Sequence, residues 1–187
     1  DELMRQGQVR AAVVVNATGP WCDELRRLED PSARPLLRRT RGVHVMVRRE
    51  RLGHTAGITL TSPIDGRVMF VLPWGDFSYI GTTDTDEPGP PEAAAPAEAD
   101  VHYLLRSANA CFPQAHLTEE DVVSSWAGVR ALLDSGDAGS ASSVSREHII
   151  RRGPGGMFTI AGGKLTTFRS MAAELVDEVA AELTRRE

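Results

Sequence analysis

The hydrophobic positions near the start of the chain form one continuous run. Residues 11–15 (AAVVV) are all apolar, and polar residues and Gly19 follow them. An unbroken run rich in β-branched residues is typical of a strand covered on both faces, as in a parallel sheet. We therefore predict a buried strand here and a short helix at 21–29. Because chains seldom begin with the interior of a parallel sheet, we expect part of this domain to lie outside the 187 residues.

The next part of the chain alternates between apolar and polar positions. In residues 42–48 (GVHVMVR) every second residue is a valine, so the valines share one face of a predicted strand and His44 lies on the other. Two further apolar runs, 67–74 and 77–83, are separated by the pair Gly75-Asp76, which predicts a hairpin turn. These strands in series predict an antiparallel sheet.

The later part of the chain predicts two helices and two more strands. A helix is expected at 97–110, where apolar residues recur on one side, and another at 166–185, where an apolar residue recurs at every fourth position. One strand is expected at 121–133, and residues 155–160 are expected to form a turn and a second strand. This order of elements predicts an α/β domain that is interrupted by an α+β domain.

Two charged segments complete the pattern. Residues 84–100 hold six carboxylates and four prolines but no basic residue, a composition that predicts a solvated loop. The arginines of 38–51 are expected at the solvated edge of the sheet. Residues 134–143 are small and predict another loop.

The composition excludes several classes of protein. A content of 41% hydrophobic and 25% charged residues describes an ordinary globular chain and excludes general disorder. A net charge of -5 argues against sequence-independent binding of nucleic acid, which needs a basic excess. No apolar run approaches the roughly 20 residues that span a bilayer. Cys22 and Cys111 stand in unrelated contexts, which indicates neither a disulfide framework nor a metal cluster and favours a reducing cytosolic setting.

The segment 158–169 (FTIAGGKLTTFR) carries the most chemistry. A glycine pair between a strand and a helix lets the backbone approach a ligand, and the first amides of the helix are unpaired donors for an anion or a carbonyl. A phosphate-binding P-loop would need glycine at Phe158 and Ser or Thr at Leu165, so we reject it. A simple turn with a solvated lysine and a capping threonine stays open as the structural alternative. Lys164 is the single lysine among 21 basic residues, which makes its position there notable.

Other candidate residues are supported by weaker signals. Residues 16–19 (NATG) end the first predicted strand in a turn of the kind that dinucleotide-binding sheets use, although a plain connection fits equally. Arg130 stands in an apolar context and needs a partner, either an internal carboxylate or an anionic ligand. Arg146 raises the same question. The remaining histidines have no metal-ligand spacing, and no metal site is predicted.

In their order along the chain, these motifs resemble the FAD-dependent glycerol-3-phosphate dehydrogenases. The matching segments are 13–21 (VVVNATGPW), 41–47 (RGVHVMV), 68–74 (VMFVLPW), 79–85 (YIGTTDT), 127–133 (AGVRALL), 145–150 (SREHII) and 161–169 (AGGKLTTFR). The resemblance covers almost the whole chain, yet it corresponds to the middle and later part of such an enzyme. The glycine fingerprint for the FAD pyrophosphate and the carboxy-terminal helical domain have no counterpart, so we expect a fragment that is inactive alone.

The resemblance implies a fold and a set of site residues. It implies a partial FAD-binding Rossmann-like domain, 1–33 and 147–187, interrupted by a substrate-binding cap with an antiparallel sheet, 34–146. The residues implied beside the FAD are Ala17, Thr18, Gly19, Gly162, Gly163, Lys164, Leu165 and Thr166. The residues implied around the substrate are His44, Arg130, Arg146 and Lys164, of which His44, Arg130 and Lys164 are the catalytic candidates. His44 is the candidate acceptor of the proton from the C2 hydroxyl.

The implied reaction oxidises glycerol-3-phosphate to dihydroxyacetone phosphate. Hydride passes from C2 to the flavin N5, and the electrons leave to a quinone. The short connection at 133–145 favours a dehydrogenase over the oxidases of the family, which carry a long insertion there. The family's setting implies a cytoplasmic protein at the inner face of the membrane, with peripheral association.

Two alternatives remain open at this stage. One is an amine or amino-acid oxidase of the same broad fold, which would bind a carboxylate in place of a phosphate. The other is a non-catalytic fragment that binds no flavin.

Overall fold

The computed structural model describes residues 7–134 and 147–186. The helices are α1 Cys22–Glu29, α2 Glu98–Cys111 and α3 Phe168–Arg186. The strands are β1 Val15–Asn16, β2 Leu37–Arg48, β3 Ile58–Thr61, β4 Val68–Trp74, β5 Phe77–Gly81, β6 Thr85–Asp86, β7 Val122–Leu133, β8 His148–Arg152 and β9 Phe158–Gly162. Short 3₁₀ helices lie between them, including Gly19–Trp21 and Leu165–Thr167.

The described residues divide into two compact units. Unit 1 contains 7–38, 131–134 and 147–186, and unit 2 contains 39–130. The assignment of 1–33 and 147–187 to FAD binding and of 34–146 to a substrate-binding cap stays a prediction.

Unit 1 contains a three-stranded sheet in the order β1-β9-β8. The strand β1 runs parallel to β9, with Val15 opposite Phe158, and β8 runs antiparallel to β9. A small apolar core includes Cys22, Leu36 and Ala161. The helix α3 follows the 3₁₀ helix that succeeds β9.

Unit 2 is built on an antiparallel sheet. The strand order is β3-β4-β5-β2-β6, and β7 also pairs with β2. The alternation in β2 has the predicted effect, because Val43, Val45 and Val47 are completely buried. They belong to one core with Leu104 and Leu105 of α2. The hairpin predicted at Gly75 is confirmed, since Trp74 and Phe77 are paired across it.

The prediction for the first apolar run is wrong in its extent and its burial. Only Val15 and Asn16 form a strand, and Val14 and Val15 are 55% and 42% exposed. Within residues 7–134 and 147–186, β1 has β9 as its one neighbouring strand, so its side chains pack on fewer groups than those of a central strand.

The predicted apolar stripe of α3 is only partly buried. Leu175 is buried, but Leu183 is 39% exposed while the adjacent Glu182 is only 6% exposed. Arg152 and Arg186 hold the Glu182 carboxylate at 2.6–2.8 Å and lower its pKa through their hydrogen bonds. The ion pairs with these arginines therefore allow the Glu182 side chain to be buried, whereas Leu183, which the periodicity places on the buried face, stays partly exposed.

The acidic segment 84–100 is not a solvated loop. It contains β6, and its carboxylates pair with arginines of unit 2. Arg41 donates to Glu87 and to Asp100 at 3.0 Å each, and the Arg41 side chain is 18% exposed. This arginine of the 38–51 cluster thus forms part of a half-buried ion network instead of a solvated edge.

Helix length and hydropathy bear on membrane insertion. Across the part of the chain that the structure describes, none of the helices is both long enough and apolar enough to pass through a bilayer.

Candidate functional site

In unit 1, the carboxyl ends of two parallel strands meet at one edge of the sheet. Asn16, the last residue of β1, is opposite Thr159 of β9. Both strands then lead into turns with left-handed glycines, Gly19 at a φ of 58° and the pair Gly162 and Gly163 at 78° and 79°. In α/β sheets this edge is where ligands bind. The structure therefore brings together the two turns that the sequence singles out.

Asn16 shapes the first of these turns. Its side chain is fully buried, donates to the Cys22 carbonyl at 2.9 Å, and accepts from the Thr18 hydroxyl at 2.7 Å. Burial, with Asp23 beside it, raises the pKa of the Cys22 thiol to about 11, so this thiol is protonated at neutral pH. Above the turn, Gly19 is open, because a Cβ there would meet no atom within 4 Å.

The glycine pair has a steric role inside the protein. A Cβ on Gly162 would run into the Glu147 carbonyl oxygen, and one on Gly163 would lie 2.5 Å from Cε of Met171. The left-handed backbone and the neighbouring protein atoms therefore require glycine at both positions. This requirement holds whether or not the glycines also make room for a ligand.

The turn then leads into the 3₁₀ helix that precedes α3. The Thr167 hydroxyl accepts from the Lys164 backbone N–H at 3.4 Å and donates to the Lys164 carbonyl at 3.0 Å, so Thr167 lies within this turn and the N-cap position of the 3₁₀ helix is Lys164 and not a threonine. The Lys164 side chain is exposed, and Leu165 and Phe168 are 88% and 63% exposed. Two large apolar side chains are therefore exposed beside the start of this helical segment.

In unit 2, the second group of candidates lies on the sheet face opposite the valine core. His44 of β2 is opposite Gly81 of β5. Its ring stacks on Trp126 of β7 with a centroid separation of 5.4 Å and an interplanar angle of 11°. Tyr79 meets the same ring edge-on at 6.0 Å. His44 is therefore held by aromatic neighbours and is not part of the apolar core.

Two glycines provide the space that these side chains occupy. A Cβ on Gly81 would lie 2.6 Å from Nε2 of His44, and a Cβ on Gly42 would lie 2.7 Å from Cζ of Arg130. Both values are below any distance that real Cβ contacts show. The imidazole and the guanidinium therefore occupy the space directly beside these two glycines.

The partner that Arg130 needs is an internal carboxylate. Its Nη1 donates to Asp84 Oδ1 at 3.2 Å and to the Thr83 carbonyl at 3.1 Å, and its Nη2 donates to the Thr82 hydroxyl at 3.0 Å. The Asp84 side chain is only 5% exposed and also pairs with Arg67 at 3.1 Å. Of the two partners that the sequence left open for Arg130, the structure supplies the internal carboxylate.

Burial lowers the pKa of His44 below its ordinary value of 6.5, and the nearby Arg130 charge lowers it further. A neutral imidazole at physiological pH can accept a proton. The structure thus brings His44 and Arg130 together on one face of unit 2. Lys164 belongs to unit 1, and Arg146 lies outside the described residues.

This lowered pKa predicts a dependence of stability on pH. The unfolded chain takes up a proton on His44 near pH 6.5, whereas the folded chain does so only at lower pH. Stability from this residue is therefore complete above 6.5 and is lost as the pH falls through 6.5 toward the folded pKa. Thermal unfolding followed at pH 7.5 and 5.5 should show a smaller pH-dependent loss for His44→Asn than for the wild type.

His116→Asn is the matched control for this measurement. His116 is exposed and has a positive φ of 45°, which asparagine tolerates. A pH-dependent loss that is as large in His44→Asn as in the wild type would contradict the assignment of the pH effect to His44.

Some residues of the site were not singled out by the sequence. The residues that were missed are Trp126, Asp84, Arg67 and the two glycines beneath the Arg130 and His44 side chains, Gly42 and Gly81. Trp126 stands four residues before Arg130 and so on the same face of β7, a spacing that could have indicated it. Asp84 lies within the YIGTTDT motif, but its composition suggested a loop.

A cluster of possible metal ligands lies elsewhere on unit 2. Glu98, His102 and Glu119 place one ligand atom each within 4.8 Å of the others, and all three residues are exposed. Exposed acidic groups often cluster in this way without an ion, and we assign this cluster no function.

Comparisons with known proteins match most of the chain to one group of proteins. The sequence model of the family described as "DAO: FAD dependent oxidoreductase" matches residues 2–177. The aerobic glycerol-3-phosphate dehydrogenase of Staphylococcus haemolyticus is 38% identical over 176 residues, which are 94% of this chain and 31% of that protein. The glycerol-3-phosphate dehydrogenase 2 of Mycobacterium tuberculosis is 42% identical over 170 residues, 91% of this chain and 28% of that protein.

A solved structure agrees with these sequence matches. The glycerol-3-phosphate dehydrogenase of Bacillus halodurans, complexed with FAD, superposes with a TM-score of 0.82 at 37% identity, over 94% of this chain and 33% of that chain. The chain thus spans about a third of the length of the curated relatives that it matches. The resemblance found in the motifs and the predicted fold class are confirmed, and the chain belongs to the family of FAD-dependent oxidoreductases.

Proposed function

We propose that this chain forms part of a flavoenzyme that oxidises glycerol-3-phosphate to dihydroxyacetone phosphate. The observation that carries the proposal is the placement of a guanidinium and a neutral imidazole, Arg130 and His44, on one sheet face of unit 2, close enough for the Arg130 charge to lower the His44 pKa. A phosphorylated polyol presents a dianion and a hydroxyl that must lose a proton, and these two side chains match those two groups. The names of the similar proteins support the same substrate.

The residues of unit 1 fit the binding of FAD. Gly19 is open toward solvent at the end of β1, and the 3₁₀ helix after Lys164 begins at an exposed turn with apolar side chains beside it. In this proposal the cofactor is held by Ala17, Thr18 and Gly19 and by the turn from Gly162 to Thr166. When bound, FAD supplies the acceptor for the hydride from C2.

The side chains of unit 2 contribute binding and proton transfer. Arg130 binds the phosphate and orients the substrate, and His44 accepts the proton of the C2 hydroxyl because its lowered pKa keeps it neutral. Lys164 and Arg146 are proposed as further cations around the substrate. We also propose that the electrons leave to a quinone and that the protein works at the cytoplasmic face of the membrane by peripheral association.

The test uses a protein with the full length of the relatives that contains this chain. We expect it to purify with bound FAD and to lose its flavin absorbance when glycerol-3-phosphate is added without oxygen. Glycerol is the matched control, since it keeps the C2 hydroxyl but lacks the phosphate, and it should leave the flavin oxidised on the same timescale.

Two outcomes would contradict the proposal. Bleaching by glycine or proline but not by glycerol-3-phosphate would assign the protein to amine or amino-acid oxidation. A colourless protein that takes up no FAD would support a non-catalytic role.

A further inference from the structure

The Asp84 carboxylate lies between two guanidinium groups of unit 2. Its Oδ1 accepts from Nη1 of Arg130 at 3.2 Å, and its Oδ2 from Nη1 of Arg67 at 3.1 Å. With 5% of its side chain exposed, Asp84 is the most buried member of this group. Each oxygen thus serves a different arginine.

The burial of Asp84 favours one orientation of the two arginines that it contacts. A buried carboxylate is costly unless hydrogen-bonded cations compensate it, so Asp84 favours positions of both guanidiniums close to its oxygens. The backbone carbonyl of Thr83 and the hydroxyl of Thr82 add bonds of 3.1 and 3.0 Å to Arg130. Together these acceptors fix the plane of the Arg130 guanidinium.

The contacts continue from Asp84 to the helix that covers the sheet. Arg67 also reaches Asp65 at 3.5 Å, and Asp65 accepts from the Tyr103 hydroxyl of α2 at 2.8 Å. Asp84 is therefore linked through Arg67 and Asp65 to the helix α2.

We propose that Asp84 is a positioning residue, which holds Arg130 in the orientation that binds the phosphate of the substrate. The inference rests on the proposed function, because it takes Arg130 as the phosphate ligand. Asp84 itself does not contact the substrate in this scheme. Its effect should therefore appear in substrate binding, and only through Arg130.

Asp84→Asn in the full-length flavoprotein tests this directly. The amide keeps the size of the side chain but removes the charge that orients Arg130. We expect the KM for glycerol-3-phosphate to rise about tenfold, as for the loss of one charge-assisted hydrogen bond, while kcat changes by less than about twofold and the flavin content is kept. Asp76→Asn, at an exposed aspartate of the same unit, is the matched control and should leave KM unchanged.

A double variant separates positioning from a general structural effect. If Asp84 acts through Arg130, then Arg130→Ala with Asp84→Asn should have the same KM as Arg130→Ala alone. An equal rise in KM from Asp84→Asn in both backgrounds would overturn the inference. If Arg130→Ala itself leaves KM unchanged, the phosphate assignment of the proposed function fails, and the inference fails with it. If Arg130→Ala raises KM and Asp84→Asn does not, only the inference fails.

A second variant, Thr82→Val, tests the inference in case Asp84→Asn folds poorly. Thr82→Val removes the hydroxyl that accepts from Arg130 Nη2 and leaves the buried carboxylate paired. We expect KM to rise about threefold, again with no further rise in the Arg130→Ala background. An unchanged KM in Thr82→Val, together with loss of flavin in Asp84→Asn, would mean that the cluster supports folding only and would overturn the inference.

Discussion

Replacing Arg130 by alanine is expected to raise the KM for glycerol-3-phosphate about a hundredfold in the full-length flavoprotein. Truncation of one partner in a desolvated, hydrogen-bonded charge pair costs enough binding energy for an effect of this size. The fold should survive, because Asp84 keeps its second partner Arg67 at 3.1 Å and is not left as an unpaired buried charge. Steady-state kinetics with glycerol-3-phosphate, together with flavin absorbance per protein, measure both statements.

Arg106→Ala is the matched control for Arg130→Ala. Arg106 is an exposed arginine of α2 in the same unit, so its loss removes an equal charge without touching the candidate site. A normal KM in Arg130→Ala would show that this arginine does not bind the phosphate.

Replacing Gly81 by alanine is the second change with a large expected effect. The new Cβ would lie 2.6 Å from Nε2 of His44, so the imidazole must leave its position against Trp126. We expect kcat to fall about a hundredfold, the range for loss of a general base. Overpacking should also lower the free energy of unfolding by about 1–3 kcal/mol. Turnover and denaturant unfolding of the same preparation test the two effects.

Gly128→Ala is the matched control for this substitution. Gly128 lies in β7 of the same unit, and a Cβ there would meet no atom within 4 Å. If Gly81→Ala keeps a normal kcat and stability, the imidazole does not need the space above that glycine and its placement is incorrect.

Most elements of the fold could be predicted from local patterns in the sequence. The alternating valines of β2, the turn at Gly75 and the apolar spacing of α2 each depend on residues that are neighbours in sequence, and the structure confirms all three. The failures have a different origin. The run at 11–15 is apolar enough for a buried strand, but its burial depends on which strands stand beside it.

The candidate site shows the same division. The sequence singled out His44 and Arg130 by residue type and by motif. It could not show that Asp84, 46 positions from Arg130 in the chain, supplies the buried partner, because a carboxylate in an acidic, proline-rich segment looks solvated. Nor could it show that Trp126 stacks on His44, since that contact depends on how the strands of the sheet are arranged.

By itself, then, the sequence determined the family, the alternation of the sheet and the turns that need glycine, since period, turn chemistry and ordered motifs are properties of nearby residues. Only the tertiary structure decided which carboxylate compensates Arg130, which ring supports His44, and why Gly42 and Gly81 are glycines. Ion pairs and steric clashes act over a few ångströms between residues that are far apart in the chain, so they exist only once the sheet has formed.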